Sequence, residues 1–292
     1  MTNRNVGLLQ LFSLTFFLSH FFFLFYGGNI IKISGSDTIF SCLLGTFLNI
    51  FLFSILLRIR KHKKTKSKNK VLAIAIALII LVTIFLVAND TTYFVIHHYL
   101  ENRNYFYIFL LLLICAYIIS KRNMDSVASL ALLLFFLFVP SFIYNMIGSI
   151  NILDLSYLKP PFDSSFANVI KGALLFSFYT LLPLLLLLFI PYDQVDQKEK
   201  QHKYLHLGLI ISNIVTIISF MMIGLGPSFV LASTYQYPYM VVINKISGFL
   251  VFNRLNYIFS LYLLFDATVL LGLLFSILKK EGENWRLFKK SQ

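Results

Sequence analysis

The sequence predicts an all-α polytopic membrane protein with a bundle of about eight transmembrane helices. Hydrophobic residues make up 58% of its 292 residues and the mean hydropathy is +0.80, too high for a soluble domain of this length. Only 13% of the residues are charged, and they cluster between apolar runs that are long enough to cross a hydrocarbon core of about 30 Å. Residues 109–114 and 184–189 are continuously apolar, unlike the alternating strands of a membrane barrel.

The apolar runs give the order of the predicted spans. Backbone groups find no water in lipid, so each run is expected to form a helix. The fourth run is short and fits if it extends at its ends or the bilayer thins locally. The first follows a single basic residue, Arg4, and lacks a clear small-residue cleavage site, which indicates a retained helix and not a signal peptide. The spans lie near residues 8–25, 39–57, 71–97, 105–120, 127–150, 166–190, 205–230 and 255–278.

The distribution of Lys and Arg predicts the orientation. With eight spans, 19 of the 25 basic residues fall in the N-terminal segment, the even-numbered connections and the C-terminal tail, and six fall on the other side. The positive-inside rule therefore places both termini of this multi-pass protein in the cytoplasm. The whole chain is predicted to be one integral membrane domain, with residues 279–292 as a basic cytoplasmic tail.

The net charge of +13 comes partly from the basic segment at residues 58–70, which could suggest a nucleic-acid partner. This segment is a short connection beside two spans, where such charge sets topology and contacts anionic lipid headgroups. The sequence therefore predicts lipid headgroups and no nucleic acid as partners of residues 58–70.

The sixth predicted span contains the first candidate ligand site. It combines Gly172, Ser177, Phe178 and Pro183 with a preceding proline pair, and it is open to two readings. One is an ordinary kink; the other is a broken helix near Gly172–Phe178 whose freed backbone groups face a ligand. In the second reading the site faces the eighth span.

Asp266 lies near the middle of that eighth span. A carboxylate there costs about 2.5–3.5 kcal/mol on insertion scales, so its side chain should face protein or water. It either takes part in function or makes a structural contact with a polar group on another helix. Asp90, beside Asn89, is a weaker candidate, and His97 and His98 are expected at the membrane interface.

Sequence motifs of known chemistry are missing from the chain. There is no HExxH, no GxSxG, no pair of carboxylates on one span and no Cys–His set. Cys42 and Cys115 both lie within predicted spans and indicate neither a disulfide framework nor a metal site. We therefore expect no enzyme activity, no catalytic residue, no cofactor and no metal.

Several short motifs follow one another along most of the chain. The densest set is Tyr237-Pro238, Ile246-Ser247 and Arg254-Leu255-Asn256, and others stand at residues 9–12, 36–38, 117–124, 151–155, 170–178 and 191–192. In this order the motifs resemble the B subunit of spore germinant receptors, a membrane family related to amino acid–polyamine–organocation transporters. The resemblance covers most of the chain.

This resemblance implies a transporter-like bundle with an inverted repeat, in which the first and sixth helices are broken around a central site. It further implies a location in the cell membrane or the spore inner membrane. It also implies partners, an A-type and a C-type receptor subunit, and a small nutrient ligand such as an amino acid. The chain departs from the pattern by placing Phe21 and Phe23 where the family has small residues, and Asn256 where it has Asp. The family has ten helices, so with eight the inverted repeat is expected to be incomplete.

The resemblance predicts a membrane subunit of a nutrient receptor that acts in spore germination. Two alternatives stand beside it: an amino acid transporter of the same superfamily, and a membrane scaffold subunit without a ligand. The predicted ligand-binding residues are Gly172, Ser177, Phe178 and Asp266.

Overall fold

Helices make up almost all of the protein in the computed structural model, which describes residues 6–62, 70–100, 104–121, 124–157, 163–190, 195–245 and 256–290. Within these residues the one β-type contact is an isolated bridge between Val6 and Val195. The helices are α1 (Leu8–Ser34), α2 (Thr38–His62), α3 (Lys70–His98), α4 (Tyr105–Ser120), α5 (Met124–Ser149), α6 (Phe166–Leu184), α7 (Gln201–Leu225), α8 (Phe229–Ala232), α9 (Pro238–Lys245) and α10 (Asn256–Lys290).

Five helical stretches of the described residues are long and apolar enough to cross a membrane, so the chain is a polytopic membrane bundle. The helices α1 and α4 contribute two shorter apolar stretches, Leu8–Phe23 and Tyr105–Ser120. The count of eight spans stays a prediction, and the last one begins at residue 255, outside the described residues. The five stretches are Phe25–Lys61, Ile74–His98, Met124–Ile152, Phe166–Phe189 and Gln201–Leu225.

The seventh predicted span ends earlier than expected. Helix α7 ends at Leu225, because a residue that precedes proline is disfavoured in the helical conformation and Gly226 precedes Pro227. Ser228 then adopts a positive φ of 74°, and the short helices α8 and α9 follow. The backbone N–H of Asp154 donates to the carbonyl of Leu225 at 2.8 Å, which satisfies one of the last acceptors of α7.

Helix α1 lies at the centre of the bundle. It packs against α5, α6, α7 and α10, while α2 packs against α6 and α7 and α10 packs against α3, α4 and α5. The rings of Phe16, Phe17 and Phe21 are completely buried or nearly so, and Phe16 meets Phe138 of α5 edge to face at 5.0 Å. The large apolar side chains of α1 therefore join two groups of helices, α2 with α6 and α7, and α10 with α3, α4 and α5.

The predicted breaks in the first and sixth helices are wrong. Helix α1 is continuous over 27 residues and α6 over 19 residues, past Gly172, Ser177 and Phe178. In α1 the hydroxyls of Thr15 and Ser19 donate to carbonyls one turn earlier in the same helix, and the helical conformation of the backbone continues past both residues. Helix α6 gives way to a 3₁₀ turn only after Pro183, which lacks the N–H that a longer helix needs.

Contacts between connections define two ends of the bundle. At the first, which we call the Val6 end, Gln10 bonds Ser129 and the Lys279 ammonium donates to the carbonyl of Lys121. At the opposite end, which we call the Asp90 end, both the N–H and the hydroxyl of Ser164 donate to Asp37. Consecutive helices thus run in alternating directions; which end faces the cytoplasm stays a prediction.

One residue of the predicted lipid-binding segment has a different role. Arg60 is 4% exposed, and its guanidinium donates to the carbonyl of Ile190 at 3.1 Å and to the side chain of Gln201 at 3.2 Å. Arg60 therefore stabilises the end of α2 and is withdrawn from lipid headgroups. Residues 63–69 of this segment lie outside the described residues, as do residues 291–292 of the predicted tail.

Candidate functional site

A buried acid–base pair joins α1 to α10. Nδ1 of His20 lies 2.9 Å from Oδ2 of Asp266, and both side chains are completely buried. An ionisable group inside a membrane bundle is costly unless it is paired, so each residue provides the partner that the other requires. The structure thus shows an interhelical contact for Asp266, one of the two roles that its position suggested.

Aromatic rings enclose the pair. Phe16 stacks on the imidazole of His20 at 5.8 Å, and Phe138 and Phe23 approach the same ring at 5.9 and 5.5 Å. Within the described residues, Nε2 of His20 and Oδ1 of Asp266 have no hydrogen-bond partner. The pair therefore lies in an apolar enclosure. A further hydrogen-bond donor or acceptor that reached His20 or Asp266 there would strongly change the free energy of the pair.

An open cavity of about 270 Å³ lies at the Asp90 end of the bundle. It forms where α1, more than two turns before its end, and the last two to three turns of α3 meet the segment between α8 and α9. Its volume suits a small molecule, since pockets for drug-sized ligands start near 300 Å³. The residues that line it are Phe25, Tyr26, Asp90, Tyr93, His97, Gln236 and Tyr237.

Two donors hold the carboxylate of this cavity in place. The hydroxyl of Tyr26 donates to Oδ2 of Asp90 at 2.6 Å, and the side-chain amide of Asn89 donates to Oδ1 at 3.3 Å. The hydroxyl of Tyr105 in turn donates to Asn89 at 2.7 Å. These neutral donors orient Asp90 without neutralising it.

Tyr237 closes the cavity from the segment between α8 and α9, outside the five apolar stretches. Its ring is 7% exposed and meets Phe94 and His98 at 5.1 and 5.3 Å. Burial, together with the negative charge of Asp90, raises the pKa of Tyr237 to about 12, so its hydroxyl keeps its proton at neutral pH.

The structure does not bring the four predicted ligand-binding residues together. Gly172 faces α2 and the end of α1, where an added Cβ would collide with the hydroxyls of Ser34 and Ser41. Ser177 donates to the carbonyl of Gly45 in α2, and Phe178 is 56% exposed on the outside of α6. Asp266 lies on α10, which packs mainly against α1, α3, α4 and α5. Ligand contact at these residues stays a prediction.

Sequence reasoning missed His20 and gave too little weight to Asp90. His20 stands in the run Phe16-Phe17-Leu18-Ser19-His20-Phe21, where a histidine is as unusual as an aspartate in the middle of a helix. A search for complementary ionisable groups in different spans would have paired His20 with Asp266. For Asp90, the signal was Tyr93, three residues later on α3, together with the three tyrosines of residues 235–239.

A comparison with protein families identifies the group to which the chain belongs. The sequence model of the spore germination protein family matches residues 9–279, which is nearly the whole chain. The chain is a member of the spore germination protein family. No curated protein sequence matches the chain significantly.

Membership in this family gives the chain a role in germination or transport. Spore germination proteins of this type are multi-pass membrane proteins of the transporter or receptor kind, and they are not a known enzyme family. The resemblance seen in the short motifs is therefore confirmed at the level of the family.

Proposed function

We propose that the chain is the membrane subunit of a germinant receptor, which senses a small nutrient such as an amino acid and acts with an A-type and a C-type subunit. The observation that carries this proposal is the family match over residues 9–279. The match extends into α10 beyond Asp266, so it includes both the pair His20–Asp266 and the cavity at Asp90.

The continuity of α1 and α6 favours a sensor over a carrier. Carriers with inverted repeats bind substrate at helices that are interrupted near the bilayer midplane, where freed backbone groups face the ligand. Here α1 is a continuous helix whose surroundings contain many aromatic rings, and the space beside Gly172 is occupied by neighbouring side chains. A rigid central helix suits a protein that transmits a small displacement between sites.

Helix α1 provides a physical route for such a signal. Phe25 and Tyr26 line the cavity, and His20 lies about 9 Å earlier on the same helix. A shift of α1 at the cavity would therefore be felt at the contact with Asp266 on α10. Coupling of this kind requires that α1 can adopt two positions relative to α10. The contact between His20 and Asp266 is the buried polar contact that would differ between those two positions.

A strain from which this chain is deleted tests the proposal. Its spores are compared with spores of the same strain in which the wild-type chain has been reintroduced. We expect the wild-type chain to restore germination with at least one nutrient and to co-purify with A-type and C-type subunits from spore membranes. Germination without the chain at the wild-type rate with every nutrient tested, or purification of the chain without these subunits, would contradict the proposal.

Transport is a second candidate, which the buried pair His20–Asp266 supports. Paired carboxylate and imidazole groups within a membrane mark proton pathways in many transporters. Purified chain in vesicles with an imposed proton gradient tests this. Accumulation of a labelled amino acid that depends on the gradient and is lost in Asp266→Asn would favour the transporter, and equal levels in vesicles with and without the chain would favour the sensor.

A further inference from the structure

The cavity at the Asp90 end combines one carboxylate with four aromatic rings. The rings belong to Phe25, Tyr26, Tyr93 and Tyr237, and the carboxylate to Asp90. Phe25 and Tyr237 stand nearly perpendicular with their centroids 6.4 Å apart, and Phe25 and Tyr26 are tilted by 47° at 6.3 Å. The rings therefore present several faces and edges to one small space.

Asp90 provides the carboxylate of this space, and the imidazole of His97 also lines it. Among the described residues, the lining contains no Lys or Arg and Asp90 forms no ion pair. The polar groups that touch Asp90 are the neutral donors of Tyr26 and Asn89.

A ligand of positive charge satisfies both features. The faces of aromatic rings attract cations, and the combination of such faces with a carboxylate suits an alkylammonium group. A zwitterion would bring a second carboxylate towards Asp90, and the described lining offers that group only the side chains of Gln236 and His97, with no Lys or Arg. A neutral molecule would gain at most a hydrogen bond from the carboxylate and would lack the attraction between opposite charges.

We propose that the cavity around Asp90 binds a small organic ammonium cation in preference to a zwitterionic amino acid. The charge of the cation lies against Asp90, and its alkyl groups lie against the rings of Phe25, Tyr93 and Tyr237. This inference rests on the proposed sensing function for its biological meaning, but the binding itself does not depend on the receptor partners.

Binding of choline to the purified full chain in detergent, measured by titration calorimetry, tests the inference. Three probes share one shape: choline, its neutral carbon isostere in which a tert-butyl group replaces the trimethylammonium group, and the zwitterion glycine betaine. We expect choline to bind about tenfold or more tightly than either of the others. Equal affinity for the three probes would overturn the proposal.

Two variants locate the site. Asp90→Asn keeps the shape of the side chain and removes its charge, and we expect it to weaken choline binding about tenfold or more. Asp154→Asn is the matched control, since Asp154 is exposed at the same end of the bundle and lies outside the cavity. Unchanged choline affinity in Asp90→Asn, or an equal loss in both variants, would overturn the site.

A third variant keeps the test decisive if Asp90→Asn unfolds the chain. Tyr93 is 58% exposed, so Tyr93→Leu removes an aromatic face of the cavity with little effect on packing. Loss of choline affinity in this variant supports the cavity, and full affinity contradicts it. Absence of choline binding to a wild-type chain that still restores germination would overturn this inference and leave the proposed receptor function standing.

Discussion

Nδ1 of His20 lies 2.9 Å from Oδ2 of Asp266, although the two residues are 246 positions apart in the chain. Both side chains are completely buried, and this contact ties the central helix α1 to α10. Removal of one partner leaves the other desolvated and unpaired, whereas removal of both leaves an apolar contact.

His20→Leu is therefore expected to lower the free energy of unfolding by about 3 kcal/mol, and the double variant His20→Leu with Asp266→Val by less than the single one. Unfolding in mixed detergent gives both values. His97→Leu is the control, because His97 is exposed and should change stability by only about 0.5 kcal/mol. Additive losses in the double variant would mean that the two residues do not stabilise each other.

Gly172 allows close approach between α6 and its neighbours. A Cβ at this position would collide with the hydroxyl of Ser34 and would lie 2.8 Å from that of Ser41. We expect Gly172→Ala to cost about 1–3 kcal/mol through overpacking, measured by thermal unfolding in detergent.

The matched change is Gly282→Ala on α10, where an added Cβ meets nothing within 4 Å. Because alanine favours helix over glycine, this variant should be neutral or more stable by up to about 1 kcal/mol. A Gly172→Ala protein that melts at the wild-type temperature would show that the helices separate easily at this point.

Arg60 is expected to resist replacement even by lysine. Its guanidinium reaches the carbonyl of Ile190 and the side chain of Gln201 together, a geometry that a single ammonium group does not reproduce. Arg60→Lys should cost about 1–3 kcal/mol in the same unfolding measurement. Arg58→Lys, an exposed position two residues earlier, should have almost no effect, and equal effects of the two changes would refute the buried role.

The two ends of the bundle can be assigned to the two sides of the membrane by labelling. With Cys42 and Cys115 replaced by alanine, single cysteines at Lys198 and Ser156 mark the exposed surfaces of the Val6 and Asp90 ends. An impermeant maleimide applied outside intact cells should label Ser156→Cys and leave Lys198→Cys unmodified, as the positive-inside rule predicts. Labelling of both cysteines from outside would refute the alternating arrangement.

The helices were predictable from sequence because membrane insertion demands long apolar runs, and α2, α3, α4 and α5 each contain one. Hydropathy does not indicate which side chains of different helices contact each other. Asp266 is conspicuous as a charge in an apolar run, but nothing local indicates that His20, on another helix, is its partner. Gly172 shows the converse difficulty, since a glycine signals an open helix or a close contact equally well, and only the neighbours decide.

The cavity at Asp90 was harder still to predict, because its lining comes from three distant parts of the chain. Asp90 and Tyr93 share a face of α3, whereas Tyr26 and Tyr237 arrive from α1 and from the segment before α9. The order of helices along the sequence does not fix their positions around α1, so an aromatic enclosure of this kind emerges only from the packed bundle.

The length of α10 has a mechanical consequence. Its 35 helical residues extend about 52 Å, well beyond a hydrocarbon core of about 30 Å, and its last turn lies about 36 Å from Asp266. Were α10 to tilt as a rigid rod about its contact with His20, the displacement would grow with distance from that contact. A tilt of about 5° there would displace the far end by about 3 Å, so a change too small to open the bundle would still be felt outside the membrane.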